Sequence, residues 1–328
     1  AGWIERRFGC TVTPEQVLAC IGTKELVASL PRALSLRDPQ RDTVLYPAVA
    51  YPTYEMGALL AGLRAVPVPV DDRWHLDLAA GDPADAERAV LLWLNDPGNP
   101  TGAVLTLDDW KELFALSDRY GFVIAADECY SEIYFKTEAP LGGLEAAHKL
   151  GRTGYPRLIA FSSLSKRSNV PGMRSGFVAG DAEIIKKFLL YRTYHGSAMS
   201  PSIQNASIAA WNDEQHVLEN RAKYIAKFNQ VTPLLQEVLD VQLPDAGFYL
   251  WAKVGKRAAL SDTEYAKRLY AEYNVTVLPG RYLARDAHGI NPGQDRIRMA
   301  LVAEVGECLE AAHRIVAFTQ NLSKLSKQ

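Results

Sequence analysis

The chain has 328 residues, of which 48% are hydrophobic and 23% are charged, values that are ordinary for a globular protein and exclude disordered, collagen-like and coiled-coil chains. The 36 basic and 38 acidic residues give a formal net charge of -2, so no field of one sign attracts nucleic acid or a membrane surface. The four cysteines form no C-x-x-C pair and no apolar run has the length of a membrane span. We therefore expect a reducing, cytoplasmic location, without a disulfide framework or a bound metal.

The first third of the chain predicts short helices and strands. Residues 3–8 have the composition of a helix already under way, so we expect the natural chain to begin earlier and its N-terminal arm to be missing here. Thr13, Pro14 and Gln16 are typical of a helix start. We further predict a helix to residue 36 after the segment 22–25, a strand over 44–46, a helix over 54–60 and an extended segment over 65–70.

The middle of the chain alternates apolar runs of strand length with amphipathic helices. The runs cover residues 90–94, 122–126, 158–161 and 177–179. Between the first two runs, Thr106 is a helix N-cap and Gly121 ends that helix. Short buried strands that alternate with helices favour a mostly parallel sheet covered on both faces.

The pattern changes after residue 212. We predict a helix over 216–239, strands over 248–251, 275–278 and 297–302, and helices over 262–273 and 304–318. The expected fold is therefore α/β, with a large domain over residues 1–212. A linking helix and a smaller α+β domain occupy residues 213–328.

Polar segments follow three of the predicted middle strands. These segments are residues 95–102, 127–130 and 162–166. Ligands of open parallel sheets bind beyond the carboxyl ends of the strands. The three segments are therefore expected to converge on one crevice.

The most specific chemical prediction concerns Lys166. A lysine just past a buried strand is partly desolvated, and a neighbouring cation such as Arg174 lowers its pKa further. A neutral amine can form a Schiff base with a carbonyl compound. On residue type alone a solvated loop lysine is the simpler interpretation, but the surrounding pattern S-L-S-K-x7-R-x-G favours the chemical one.

A phosphate site is predicted from two separate features. Gly22, Thr23 and Lys24 open a helix after an apolar run, where backbone N–H groups suit a phosphate. Ser163 and Arg174 add a hydroxyl and a planar guanidinium. The chain has no G-x-G-x-x-G or Walker motif, so dinucleotide and P-loop binding have no support.

Three residues lie at or shortly after strand ends, and two of them, Asp127 and Asn99, allow two interpretations. Asp127 is either a helix cap or a carboxylate that faces a cationic ring nitrogen. Tyr130 lies three residues further on and can donate a hydrogen bond to a phenolate oxygen. Asn99 belongs to N-P-T-G, which is also an ordinary turn sequence.

Two positions further from these strands are also ambiguous. Tyr51 either stacks on an aromatic ligand or packs in the core. Arg298 either binds a carboxylate bidentately or forms a surface ion pair. Arg296 lies on the same face of the predicted strand and is the rival candidate.

The motifs together resemble a known family. In chain order they are G-T-K-E, Y-P-x-Y, N-P-T-G, D-E-x-Y, S-L-S-K…G-x-R-x-G, A-G-F-Y-L-W and R-M-A-L. They resemble the fold-type-I, pyridoxal-phosphate-dependent aminotransferases of the aspartate aminotransferase superfamily. The resemblance implies a large domain with a mostly parallel sheet flanked by helices, a smaller C-terminal domain, and a homodimer with its sites at the subunit boundary.

The resemblance also implies a role for each matched residue. Lys166 matches the Schiff-base lysine and proton shuttle, and Asp127 matches the carboxylate that keeps the pyridine nitrogen protonated. Tyr130 and Asn99 match the partners of the ring O3′, and Tyr51 matches the residue that stacks on the ring. The phosphate cup matches Gly22, Thr23, Lys24 (by its backbone), Ser163 and Arg174.

The substrate is indicated by the C-terminal part of the chain. Residues 278–285 and 289–293 resemble the succinyldiaminopimelate aminotransferases of lysine and cell-wall precursor synthesis. The resemblance to the aminotransferase superfamily implies ping-pong transfer to 2-oxoglutarate, with Arg298 on the α-carboxylate. Arg281 and Arg285 either contact the distal carboxylates of the substrate or are surface charges.

Other functions on the same scaffold stay open at this point. An aspartate or aromatic aminotransferase has the same motifs. A pyridoxal-phosphate-dependent carbon–sulfur lyase or decarboxylase also uses the same lysine and aspartate, because the cofactor does the chemistry and the pocket selects the bond. A pyridoxal-phosphate-sensing regulator needs a basic DNA-binding module, and the sequence has none.

Overall fold

A seven-stranded sheet dominates the computed structural model, which describes residues 1–254 and 260–325. Its strands pair in the order β1-β7-β6-β5-β4-β2-β3, and only β7 runs opposite to the other six. The predicted, mostly parallel sheet is thus confirmed. The strands are β1 (Val17–Cys20), β2 (Thr43–Pro47), β3 (Arg64–Val68), β4 (Ala89–Asn95), β5 (Val123–Asp127), β6 (Leu158–Ser163) and β7 (Gly176–Gly180).

Helices cover both faces of this sheet. In β4, Leu92 and Leu94 face one apolar cluster while Leu91 and Trp93 face the other, because side chains alternate along a strand. The helices are α1 (Gly2–Phe8), α2 (Lys24–Arg37), α3 (Thr53–Leu60), α4 (Pro83–Arg88), α5 (Leu107–Tyr120), α6 (Gly143–Lys149), α7 (Leu164–Arg167), α8 (Ala182–His195) and α9 (Pro201–Asn212).

A three-stranded antiparallel sheet follows in the C-terminal part, in the order β8-β10-β9. It packs with its helices around a separate apolar cluster that includes Phe228, Leu250, Tyr265, Ile297 and Phe318. The predicted domain boundary at residues 212 and 213 falls between α9 and α10 and stays a prediction. The elements are α10 (Gln215–Gln236), β8 (Tyr249–Lys253), α11 (Asp262–Tyr273), β9 (Leu278–Pro279), β10 (Arg296–Ala300) and α12 (Val305–Leu325).

Two predicted elements are wrong. The helix expected at Thr13 is a single 3-10 turn over Pro14–Gln16, because the chain enters β1 directly afterwards and pairs with β7. The strand expected over 275–278 is reduced to β9, since Val277 is buried in the C-terminal core without a strand partner. Packing and pairing with distant segments override the local pattern in both places.

The carboxyl ends of β4, β5 and β6 meet at one edge of the large sheet. Asn95 lies opposite Asp127 in register, and Ser163 lies opposite Gly176 at the start of β7. Cys20, at the end of β1, also lies opposite Gly176. The segments that leave these strands are therefore brought together, as the sequence predicted. Among the described residues, no helix is both long and apolar enough to cross a membrane.

Candidate active site

Asp127 ends β5 and its side chain is buried, with 7% of the residue exposed. The Tyr54 hydroxyl donates to Asp127 Oδ2 at 2.7 Å, and the Cys129 N–H donates to Oδ1 at 3.2 Å. Burial raises the pKa of Asp127, while these hydrogen bonds and the charge of Lys166 oppose the rise. The carboxylate is thus fixed in place by two donors and stabilised by a nearby cation.

Tyr54 was missed by the sequence reasoning, although it is the second tyrosine of Y-P-x-Y. Its ring stacks on Trp93 with centres 4.9 Å apart and an interplanar angle of 15°. Burial and the neighbouring Asp127 raise its pKa well above the ordinary tyrosine value. Tyr54 therefore remains a hydrogen-bond donor to Asp127 at any moderate pH.

Lys166 lies on the short helix α7, directly after β6. Its Nζ is 5.0 Å from the centre of the Phe248 ring and 6.0 Å from that of Tyr130. Burial lowers the pKa of Lys166, and the charges of Arg298 and Arg174 lower it further. A larger share of this amine is therefore neutral and nucleophilic than for an exposed lysine.

Arg174, Gly22 and Ser163 form a polar cradle beside α2 and α7. Gly22 has φ +63°, and a Cβ at this position would lie 2.2 Å from Arg174 Nη2, so only glycine allows the guanidinium to approach. A Cβ at Gly176 would lie 3.2 Å from the Cβ of Ser163 and 3.3 Å from Cγ2 of Thr23. The predicted phosphate residues are therefore close together, except that the side chain of Lys24 is exposed and only its backbone opens α2.

Cys129 connects this cradle to Asp127 and was not predicted as a site residue. Its Sγ is 3.4 Å from Thr23 Oγ1 and 3.8 Å from Ser163 Oγ. Burial raises the pKa of the thiol well above its ordinary value, and the charge of Asp127 adds to the rise. The thiol is therefore neutral and acts as packing between the acidic and the basic parts of the site.

Arg298 joins the small sheet to the large one. Its Nη1 donates to Asn99 Oδ1 at 3.0 Å, and the backbone N–H of Asn99 donates to Asn95 Oδ1 at 2.7 Å. The rival Arg296 lies over Trp74 instead, with its guanidinium carbon 4.6 Å from the ring centre. Of the two candidates on β10, only Arg298 contacts another predicted site residue.

The remaining aromatic residues lie around the same crevice. The ring of Tyr51 meets that of Tyr54 edge to face, with centres 5.7 Å apart. The Tyr130 hydroxyl is 2.9 Å from the hydroxyl of Tyr249 on β8. Tyr249 was not predicted, because its position in A-G-F-Y-L-W has the appearance of a core strand.

Arg281 and Arg285 are engaged in ion pairs within the chain. Arg281 Nε lies 2.6 Å from Oδ1 of the fully buried Asp262, and Arg285 Nη2 lies 2.6 Å from Glu55 Oε2. Of the two interpretations left open by the sequence, these contacts favour a structural role.

Comparison with known proteins agrees with this arrangement. The family described as aminotransferase class I and II matches residues 1–315. A crystal structure of an aminotransferase from Neisseria meningitidis superposes with a TM-score of 0.91 and 48% identity, covering 97% of this chain and 81% of that one. A probable N-succinyldiaminopimelate aminotransferase from Thermus thermophilus superposes with a TM-score of 0.86 and 30% identity, covering 97% and 82%.

One curated relative has a quite different substrate in its name. The 4-dedimethylamino-4-oxo-anhydrotetracycline transaminase of Streptomyces rimosus is 34% identical over 316 residues, which are 96% of this chain and 81% of the relative. The fold, with Lys166 directly after β6 at the carboxyl edge of a mostly parallel sheet, is that of the fold-type-I transferases. Within that class, the chain belongs to the class I and II aminotransferase family and is an aminotransferase.

Proposed function

We propose that this aminotransferase depends on pyridoxal 5′-phosphate, held between Asp127, Lys166 and the cradle of Arg174 and Ser163. The observation that carries the proposal is the juxtaposition of a buried, doubly hydrogen-bonded carboxylate with an amine of lowered pKa. The close approach of Arg174 to Gly22 supports a dianionic phosphate there. Pyridoxal phosphate, when bound, supplies an aldehyde that bonds to amines and a ring that accepts electrons from the substrate α-carbon.

We assign one chemical role to each side chain of the site. Asp127, which accepts hydrogen bonds from Tyr54 and Cys129, would hold a proton on the ring nitrogen. Lys166 Nζ would take up the proton from the α-carbon of the amino donor and deliver it to the C4′ atom of the cofactor. Tyr130 and Asn99 hold the ring hydroxyl oxygen, and Tyr51 excludes water from one face of the ring.

The phosphate is bound by three kinds of donor. Arg174 supplies the guanidinium, and Thr23 and Ser163 supply hydroxyls. The backbone N–H groups at Gly22, Thr23 and Lys24 lie at the N-terminus of α2, where the helix dipole favours an anion. These donors would hold the phosphate at the N-terminus of α2.

Arg298 binds the α-carboxylate of both substrates in turn. Its planar guanidinium suits two parallel hydrogen bonds to a carboxylate, and Asn99 already orients it. Because one carboxylate site serves both, the first oxo acid leaves before 2-oxoglutarate binds. The expected kinetics are therefore ping-pong, with parallel lines in double-reciprocal plots.

The proposed amino donor is N-succinyl-LL-2,6-diaminopimelate, an intermediate of lysine biosynthesis. Support comes from the similarity to the probable N-succinyldiaminopimelate aminotransferase of Thermus thermophilus and from the motifs over 278–293. Since Arg281 and Arg285 are already paired, we expect other groups to contact the distal carboxylates.

A panel of amino donors with 2-oxoglutarate tests this proposal through the rate of glutamate formation. The succinylated diaminopimelate is expected to give the highest kcat/KM. A clear preference for aspartate or an aromatic amino acid would refute the substrate while leaving transamination intact. Pyruvate and ammonia formed without an oxo acid would instead indicate the carbon–sulfur lyase.

Two further properties belong to the same proposal. We expect a homodimer, by resemblance to the family, and light scattering on the purified protein measures it directly. We also expect the cytoplasm, because all four cysteines are free and buried, as in proteins of reducing compartments. A monomer with full activity would contradict the first expectation.

A further inference from the structure

The hydroxyls of Tyr249 and Tyr130 form a buried contact between the two sheets. Tyr249 lies on β8 of the small sheet, whereas Tyr130 follows β5 of the large sheet. Their oxygens are 2.9 Å apart, their ring centres 5.7 Å apart, and neither residue is more than 8% exposed. This contact therefore links the C-terminal sheet to a tyrosine that the proposed function places at the cofactor.

The ring of Tyr249 makes a second contact with the same site. The guanidinium carbon of Arg298 lies 4.3 Å from the ring centre, within the range of a cation–π interaction. Arg298 pairs in register with Trp251, so Tyr249, two residues along β8, is its diagonal neighbour on the same face. The contact thus follows from the register of β8 and β10.

We propose that Tyr249 is a positioning residue of the active site, whose hydroxyl donates to Tyr130 and whose ring orients Arg298. The inference rests on the proposed function and adds a residue to it. Arg298 also donates to Asn99. Tyr249 therefore lies at the centre of a chain of contacts that joins Tyr130, Arg298 and Asn99.

The direction of the hydrogen bond follows from proton counting. Each tyrosine hydroxyl has one proton to donate. If Tyr130 donates its proton to the ring hydroxyl oxygen of the cofactor, Tyr249 must donate to the oxygen of Tyr130. A donor that itself accepts a hydrogen bond is polarised and donates more strongly.

Other charged and titratable groups surround the two tyrosines. Asp127 and Cys129 precede Tyr130 in the chain, Lys166 approaches from α7, and Tyr224 approaches from α10 next to Phe248. Arg298 approaches from β10. The test below therefore measures a difference between variants that all keep these groups.

The test is a pH titration of the visible absorbance of the protein loaded with pyridoxal phosphate. A weaker donor at the ring oxygen leaves more electron density there, so the bound chromophore holds its proton to higher pH. Tyr249→Phe is expected to raise the midpoint by about half a pH unit. It is also expected to raise KM for the amino donor severalfold with a smaller change in kcat, because Arg298 loses its orientation.

Two variants act as controls. Tyr265→Phe removes another buried hydroxyl contact, the one with Thr319 Oγ1 at 2.6 Å in the C-terminal core, and is expected to leave the midpoint unchanged. Tyr130→Phe is expected to raise the midpoint more than Tyr249→Phe does. Adding Tyr249→Phe to Tyr130→Phe is expected to give no further rise.

The outcomes separate the inference from the proposed function. If the unmodified protein gives the visible band and Tyr249→Phe has the same titration midpoint, the inference is overturned and the proposed function stands. An additive rise in the double variant would overturn it equally, since Tyr249 would then act without Tyr130. A protein that binds no pyridoxal phosphate would overturn the proposed function and, with it, the inference.

Discussion

The two sheets bring different chemistry to the same crevice. The carboxyl edge of the large sheet carries buried titratable groups, and burial raises the pKa of Asp127 and lowers that of Lys166. The facing side of the small sheet carries Arg298 against the ring of Tyr249. The large sheet is thus suited to moving protons, whereas the small sheet is suited to binding and orienting an anion.

The difference has its origin in how each sheet is covered. The large sheet has helices on both faces, so polar groups at the end of β5 are withdrawn from water. In the small sheet, Ile297 and Met299 face the apolar core while Arg296 and Arg298 face the opposite side. Strand alternation therefore places two half-buried cations on one face, and burial lowers the pKa of Arg296.

The largest effect is expected at Lys166, the residue of the large sheet to which the proposed function assigns the reacting amine. Lys166→Ala should lower the rate of transamination by at least about 10⁴-fold, because both the covalent attachment point and the proton carrier are lost. Lys111→Ala, which changes an exposed lysine on α5, is the matched control and should retain full activity. Normal turnover by Lys166→Ala would show that the lysine of the large sheet takes no part in the reaction.

The second effect concerns the buried acid of the large sheet. Asp127→Asn keeps the shape but removes the charge, and kcat should fall by about 10²–10⁴-fold, since the carboxylate no longer stabilises a protonated ring nitrogen. Asp108→Asn, at an exposed position of α5, controls for a general loss of charge. If the kcat of Asp127→Asn stayed within a factor of three, the proton chemistry would have to be located elsewhere.

The third effect separates two neighbouring cations of the small sheet. Arg298→Lys should lower kcat/KM for the amino donor by about 10–100-fold, because a lysine cannot make the paired hydrogen bonds of a guanidinium. Arg296→Lys should change it little, since Arg296 packs on Trp74 and Trp251. Equal losses in steady-state assays of both variants would contradict the assignment.

The last effect is on stability rather than on activity, and it concerns a buried acid of the large sheet. Folding raises the pKa of Glu128 from 4.5 to about 8, mainly by burial. This group therefore adds stability that is complete below pH 4.5 and is lost as the pH rises through about 8. Relative to Glu128→Gln, the free energy of unfolding should fall with pH by at most about 1.4 kcal/mol per unit.

Denaturant titrations at pH 5 and pH 8 measure this difference. Glu138→Gln, at an exposed position, controls for the loss of a carboxyl group elsewhere in the chain. Parallel stability curves for Glu128→Gln and the unmodified protein would mean that Glu128 is ionised in the folded state.

Much of the fold was predictable because the relevant signals are local. Buried strands have continuous apolar runs, and the polar groups at their ends follow directly in the sequence, so the edge with Asp127 and Lys166 was found. Helices and strands that depend on distant partners were not predictable. The turn at Thr13 stops because β1 pairs with a strand about 160 residues away. The residues there that favour the start of a helix form a single turn.

The site residues that were missed are those whose role depends on distant contacts. Tyr54 and Tyr249 resemble core residues in sequence, yet their hydroxyls meet Asp127 and Tyr130, which are 73 and 119 positions away. Alternation put Arg296 and Arg298 on the same face and could not choose between them. Only the contact of Arg298 with Asn99, which follows β4 of the large sheet, distinguishes the two arginines.

The most direct measurement is borohydride reduction of the protein loaded with pyridoxal phosphate, followed by digestion and mass spectrometry. Reduction converts a carbon–nitrogen double bond between the cofactor and a lysine into a stable single bond. We predict one phosphopyridoxyl group, on Lys166, with loss of the visible band. Labelling of a different lysine, such as Lys24, or no labelling at all would contradict the central claim.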